Sequence, residues 1–133
     1  LTMKTILTAG TFDILHASHI QLLERAKSLG DRLIVMCSTD DFNAKKHKEA
    51  LQPYAERKLI LEALRRVDKV VPEASWEDKA KYIKAFNVST FVMGDDWLGK
   101  FDALKDAFPE LEIFYFPRGK ISSTHLRDQI KNL

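Results

Sequence analysis

Residues 4–19 read KTILTAGTFDILHASH, and the fold turns on this stretch. KTILTA is a short apolar run rich in β-branched residues, as in a buried strand, and Gly10 breaks it into a loop that carries His16 and His19. Beyond the loop Ile20, Leu22, Leu23, Ala26 and Leu29 recur at helical spacing, and Gly30 stands where a helix C-cap is expected. Ser18 and Gln21 have the form of a capping box, which predicts Ser18 as the N-cap and His19 in the first turn. Both imidazoles then face the positive end of the helix, where an anion would bind.

The same alternation runs outward along the chain. RLIVMC, DKVV, TFVMG and EIFYF read as four more strands. YAERKLILEALRRV, SWEDKAKYIKAF, FDALKDAF and STHLRDQIKNL read as helices between and after them. Parallel strands need crossover connections, so the pattern predicts an α/β fold: a five-stranded, mostly parallel sheet with helices on both faces. In such sheets ligands bind beyond the carboxyl ends of the strands, near the switch in strand order.

The bulk numbers narrow the class. With 133 residues, 45% hydrophobic and 30% charged, the chain fits one soluble domain, and residues 3–133 are taken as that domain, Leu1 and Thr2 being read as an appendage ahead of Met3. A formal net charge of +2 argues against a nucleic-acid partner. No apolar run approaches the roughly 20 residues that cross a bilayer, which predicts no membrane association, and no secretory signal pattern opens the chain. The single cysteine, Cys37, lies in an apolar strand and is read as a buried thiol in a reducing, cytoplasmic setting.

The unusual residues fall in the segments after strands one, two, four and five: GTFDILHASH, STDDFNAKKHK, MGDDW and PRGKISSTH. Histidines, lysines, an arginine and a run of hydroxyls all donate to oxyanions, and helix N-termini add backbone amides. Their convergence predicts a polyphosphate ligand. No zinc-ligand spacing is present, and no hydroxyl has an evident histidine–carboxylate relay, so neither a protein-held metal nor a covalent intermediate is expected.

GTFDILHASH resembles the His-x-Gly-His signature of the nucleotidyltransferase superfamily, and KISSTHLRD resembles its second, hydroxyl-rich signature. LLERAKSLGD, STDDFN, ERKLILEALRRVD, VMGDDW and GKFD extend the likeness, over nearly the whole chain, to the bacterial glycerol-3-phosphate cytidylyltransferase family. The resemblance implies a Rossmann-like homodimer that condenses CTP with glycerol 3-phosphate into CDP-glycerol and pyrophosphate, with Mg²⁺ bridging the CTP phosphates, for teichoic acid or capsule polymers. It also implies roles. Thr11, Phe12, His16 and His19 match triphosphate-holding positions, with Asp13 shaping their loop. Lys46 and Lys48 match lysines at the substrate and nucleotide phosphates, and Lys79 matches a glycerol phosphate contact. Arg65, Asp96 and Trp97 match residues around the nucleotide, and Arg118, Ser122, Ser123 and Thr124 match the signature that grips the outer phosphates. His16, His19, Lys46 and Arg118 carry the implied catalysis.

Two positions differ from the family pattern: Ser18 replaces the glycine of the first signature, and the second is one residue shorter. Two other readings stay open on residues alone. One is a cytidylyltransferase for another alcohol phosphate, such as glycerol 2-phosphate, or an adenylyltransferase; the other is a nucleotide-binding regulatory module without turnover.

Overall fold

The computed structural model describes residues 3–117 and 123–132. Five strands form one sheet in the order β3-β2-β1-β4-β5. They are β1 (Thr5–Gly10), β2 (Arg32–Ser38), β3 (Lys69–Glu73), β4 (Thr90–Gly94) and β5 (Glu112–Phe116). Every neighbouring pair is parallel, so the sheet is wholly rather than mostly parallel.

Both faces of this sheet are covered, which explains why its central strands are continuous apolar runs rather than alternating ones. Ile6, Leu33 and Val35 pack on one side with Leu23 of helix α1 (Ala17–Ser28) and Leu61 of α3 (Tyr54–Glu62). Leu7, Ile34, Met36 and Phe91 pack on the other with Ile83 of α4 (Asp78–Ala85). The remaining helices are α2 (Asp40–Lys45), α5 (Leu104–Ala107) and α6 (Ser123–Lys131). Because β1 lies between β2 and β4, the crossovers leave it in opposite directions and open a crevice at the carboxyl ends of β1 and β4.

Three local expectations change. The segment after β2, read as a loop, contains α2, whose N-cap Thr39 accepts from the Phe42 amide at 3.1 Å. α3 stops at Glu62 instead of running to Val67. Gly30 closes α1 for a steric reason and not by a left-handed backbone: the C-cap Leu29 is right-handed, and a Cβ at Gly30 would stand 2.8 Å from the Lys4 carbonyl oxygen.

Candidate active site

The loop after β1 is held in an unusual shape. Phe12 (φ 54°) and Ile14 (φ 49°) both occupy the left-handed region, which costs non-glycine residues on the order of 1 kcal/mol or more each. Asp13, between them and fully buried, secures the loop. Its carboxylate accepts the Leu51 amide at 2.9 Å, the Gln52 amide at 3.0 Å and Arg127 Nη1 of α6 at 2.9 Å. The carboxylate thus shapes the loop from within the protein. Arg57, fully buried on α3, ties the Thr11 carbonyl (2.8 Å) to the Ser38 carbonyl (2.7 Å), while its Nε donates to Gln52 O (2.9 Å) and its Nη2 to Asp40 (2.8 Å). One guanidinium therefore joins the ends of β1 and β2.

The histidines themselves cap the helix. His16 is the N-cap of α1, its Nδ1 accepting the Ser18 amide at 3.2 Å, and His19 Nδ1 accepts the His16 amide at 3.2 Å. The predicted Ser18–Gln21 box is thereby replaced by a His16–His19 box, since an imidazole nitrogen accepts as a hydroxyl does and the helix begins two residues earlier; Ser18 sits in the first turn. With both Nδ1 atoms accepting, each neutral ring carries its proton on Nε2. The ring centroids are 4.0 Å apart, and the Nε2 atoms lie 3.5 and 3.4 Å from one oxygen, the hydroxyl of Ser123. Ser123 donates its own proton to the Asp13 carbonyl at 2.5 Å, which leaves its lone pairs to the imidazoles.

A cavity of about 370 Å³ opens here. It brings together the predicted residues Thr11, Phe12, Asp13, His16, His19, Lys48, Asp96, Trp97, Ser123 and Thr124. Asp96 and Trp97 come from a short 3-10 turn after β4, and Lys48 Nζ is 5.3 Å from the Trp97 ring centre.

Lys46 and Lys79 meet in a second, more buried cluster at the end of β2 and β3. Lys46 Nζ donates to Ser38 Oγ at 3.0 Å, Ser38 donates to Glu73 Oε1 at 3.4 Å, and Lys79 forms an ion pair with Glu73 Oε2. Lys79 is 4% exposed and Glu73 2%. Trp76 lies over both ammonium groups, at 5.9 Å from Lys46 Nζ and 5.0 Å from Lys79 Nζ. Burial, then repulsion from Lys48, pulls the Lys46 pKa down to about 8, with Lys79 and Arg57 adding to the fall and Glu73 opposing it. The aromatic chain Lys79–Phe101–Trp97–Lys48 connects this cluster to the histidine crevice.

Arg65 does not join either group. α3 leads the chain away from the carboxyl ends of the strands, and Arg65, in the turn toward β3, is exposed beside a separate hollow with Ile20, Leu23 and Glu24 of α1. Arg118 and Ser122 lie outside the described residues. Cys37 is fully buried as expected, and desolvation raises its pKa to about 11, against the lowering influence of Arg57, so it is no nucleophile.

Sequence reading missed Arg57, Glu73 and Arg127. Arg57 left a signal, because it falls in the apolar stripe of α3 with Tyr54, Leu61 and Leu64, where a cation must be buried and partnered. Glu73 and Arg127 left none, since their partners are set by tertiary contacts.

The cytidylyltransferase-like family model matches residues 7–129. The chain belongs to the cytidylyltransferase-like family. Along 98% of its length it is 54% identical to the glycerol-3-phosphate cytidylyltransferase of Bacillus subtilis, covering all of that protein. The Staphylococcus aureus glycerol-3-phosphate cytidylyltransferase is 46% identical over 96% of each chain. Among solved structures, a lipopolysaccharide core biosynthesis protein from Thermoplasma volcanium superposes with a TM-score of 0.80 at 23% identity, covering 90% of this chain and all of that one, which shows a shared fold. This cytidylyltransferase-like chain is therefore an enzyme, a nucleotidyltransferase with a Rossmann-like sheet. Among the described residues no helix is long and apolar enough to cross a membrane.

Proposed function

We propose that this cytidylyltransferase-like enzyme condenses CTP with glycerol 3-phosphate, giving CDP-glycerol and pyrophosphate. The observation that carries the reading is the two-part anion site, in which a histidine-lined crevice adjoins two lysines, Lys46 half-buried and Lys79 buried, joined through Ser38 and Glu73. The full-length likeness to enzymes named for this reaction supports it.

The acceptor is a phosphate monoester, largely dianionic at neutral pH because its second pKa is near 6, so it needs no general base. One of its oxygens forms a bond to the α-phosphorus of CTP, the bond from that phosphorus to the bridging oxygen breaks opposite, and pyrophosphate departs with the electron pair. Catalysis is then positioning plus charge stabilisation. His16 and His19 donate through Nε2 to phosphate oxygens, at the point where Ser123 Oγ now sits. Lys46 and Lys79 hold the acceptor. Thr11, Phe12 and Lys48 take the triphosphate, Asp96 and Trp97 flank the nucleoside, and Arg118 with Ser122, Ser123 and Thr124 retains the leaving group.

Mg²⁺ would arrive with CTP as part of the substrate and supply charge neutralisation at its phosphates. Among the described residues no group of three His, Cys, Asp or Glu is arranged to hold a metal, and the buried Asp13 carboxylate is occupied by two amides and Arg127. The reading extends to a cytoplasmic homodimer supplying teichoic acid or capsule synthesis. Nucleoside triphosphates assayed against alcohol phosphates by pyrophosphate release test it. CTP with glycerol 3-phosphate should be the best pair. Preference for another acceptor by more than about tenfold, about 1.4 kcal/mol at the transition state, overturns the substrate assignment.

A further inference from the structure

Glu73 is a carboxylate placed inside an anion site, where a second anion has to bind. At 2% exposure it cannot be a solvated bystander, and a buried charge persists only when paired. Its two oxygens face different lysines: Oε2 meets Lys79 directly, and Oε1 accepts from Ser38 Oγ, which itself accepts from Lys46 Nζ at 3.0 Å. The result is one chain of charge-assisted hydrogen bonds from strand β2 through β3 to α4, fully buried at Ser38.

We infer that Glu73 is a positioning residue for the acceptor phosphate, holding the Lys46 and Lys79 side chains as one aimed pair through its direct and Ser38-relayed contacts. This rests on the proposed acceptor site above. The physical need follows from the charges that face Lys46: Lys48 from the segment after α2, Arg57 from α3 and Lys79 from α4 all repel it, and Glu73 from β3 attracts it. Phe42, with its ring centre 4.4 Å from Lys46 Nζ, and Trp76 supply further cation–π attraction without net charge. Neutralising Glu73 removes the attractive charge from this set, so Lys46 gives up its proton more readily. An anion binds the protonated lysine, so acceptor affinity then begins to fall at lower pH.

The test measures KM for glycerol 3-phosphate and for CTP between pH 6.5 and 9.5, with calorimetric binding of glycerol 3-phosphate in parallel, for the wild type, Glu73→Gln and Glu73→Asp. In the wild type the alkaline loss of acceptor affinity should centre near the Lys46 pKa of about 8. In Glu73→Gln the midpoint should move down by on the order of one pH unit, with about tenfold weaker acceptor binding above it and the CTP KM little changed. Glu73→Asp should recover part of the shift. Ser38→Ala, which removes one buried oxygen and keeps the Lys79–Glu73 pair, keeps the test alive where Glu73→Gln fails to fold: it cuts only the relay to Lys46 and should move the midpoint the same way by less. An unmoved midpoint in the folded variants, or an equal rise in both KM values, overturns the inference. Wild-type turnover judges the parent reading separately, because acceptor binding without CDP-glycerol formation rejects the reaction while the binding shift still decides Glu73.

Discussion

At the head of α1 two half-buried imidazoles are held by backbone amides and aim their Nε2 atoms at a single oxygen. Across the carboxyl end of the sheet, a buried lysine pairs with a buried carboxylate, and a second, half-buried lysine reaches the same carboxylate through Ser38. Both halves suit phosphate oxygens, yet their costs differ. The histidine half is positioned by the amides of the helix it caps, and the helix N-terminus adds its own donors. The lysine half must bury charge, so it carries its own counter-charge and becomes sensitive to the loss of any member.

The comparison breaks most visibly at Lys79. Lys79→Met should strand the Glu73 carboxylate in the core and destabilise the fold by about 3–5 kcal/mol in urea titration, whereas adding Glu73→Gln to it should restore most of that loss. A single-mutant loss below about 1 kcal/mol would show that the carboxylate finds another partner.

On the histidine side the penalty should fall on rate. His16→Ala and His19→Ala each remove a donor to developing charge and should lower kcat by on the order of a hundredfold with the fold retained. His16→Ala should also cost about 1 kcal/mol as a lost N-cap, and His16→Asn, which caps but lacks the outward imidazole, should restore stability without restoring turnover. Activity returning with Asn would make capping, and not donation, the function of His16.

The two halves also differ in how far the chain betrays them. The histidine half is local: strand, loop and first helical turn occupy residues 5–19, so short-range pattern and residue type were enough to place it, and the alternation of apolar runs was enough to read the parallel sheet. Even there the cap was misplaced by two residues, because histidine is an uncommon capping side chain and serine a frequent one. The lysine half draws on Ser38, Lys46, Glu73 and Lys79, joined only when β2 and β3 pair. Lys46 and Lys79 were identified through family likeness, and Glu73 looked like one more acidic residue at a strand end. Arg65 is the opposite case, since motif position alone matched it to the nucleotide while the structure sets it apart from the crevice, in the turn after α3.

A smaller effect separates the halves by pH. Lys46 has a lowered pKa of about 8, so the cation is present below that value and lost above it. Wild-type affinity for glycerol 3-phosphate should therefore hold below pH 8 and weaken above it, approaching tenfold per further unit if the protonated lysine is required. Steady-state KM values for the two substrates check this: the acceptor should show the limb, and a limb confined to CTP would move Lys46 into the nucleotide half.

The smallest expected effect lies at Ser18, where the chain departs from the glycine of its family's signature. Ser18 is in the first turn of α1, outside the left-handed region, so its backbone does not demand glycine. Its amide donates to His16 Nδ1, an interaction made by the main chain and kept by any residue except proline. The cap belongs to His16, so Ser18→Ala should change stability by less than about 0.5 kcal/mol and leave kcat near wild type. Ser18→Gly should cost a few tenths of a kcal/mol through helix propensity alone. Ser18→Val places a branched side chain on the wall of the crevice and should raise the CTP KM more than it alters stability. Thermal unfolding and CTP kinetics on the three variants decide the matter: a loss near 1 kcal/mol in Ser18→Ala would return the cap to the serine hydroxyl, and with it the geometry in which both imidazoles face the phosphate would have to be redrawn.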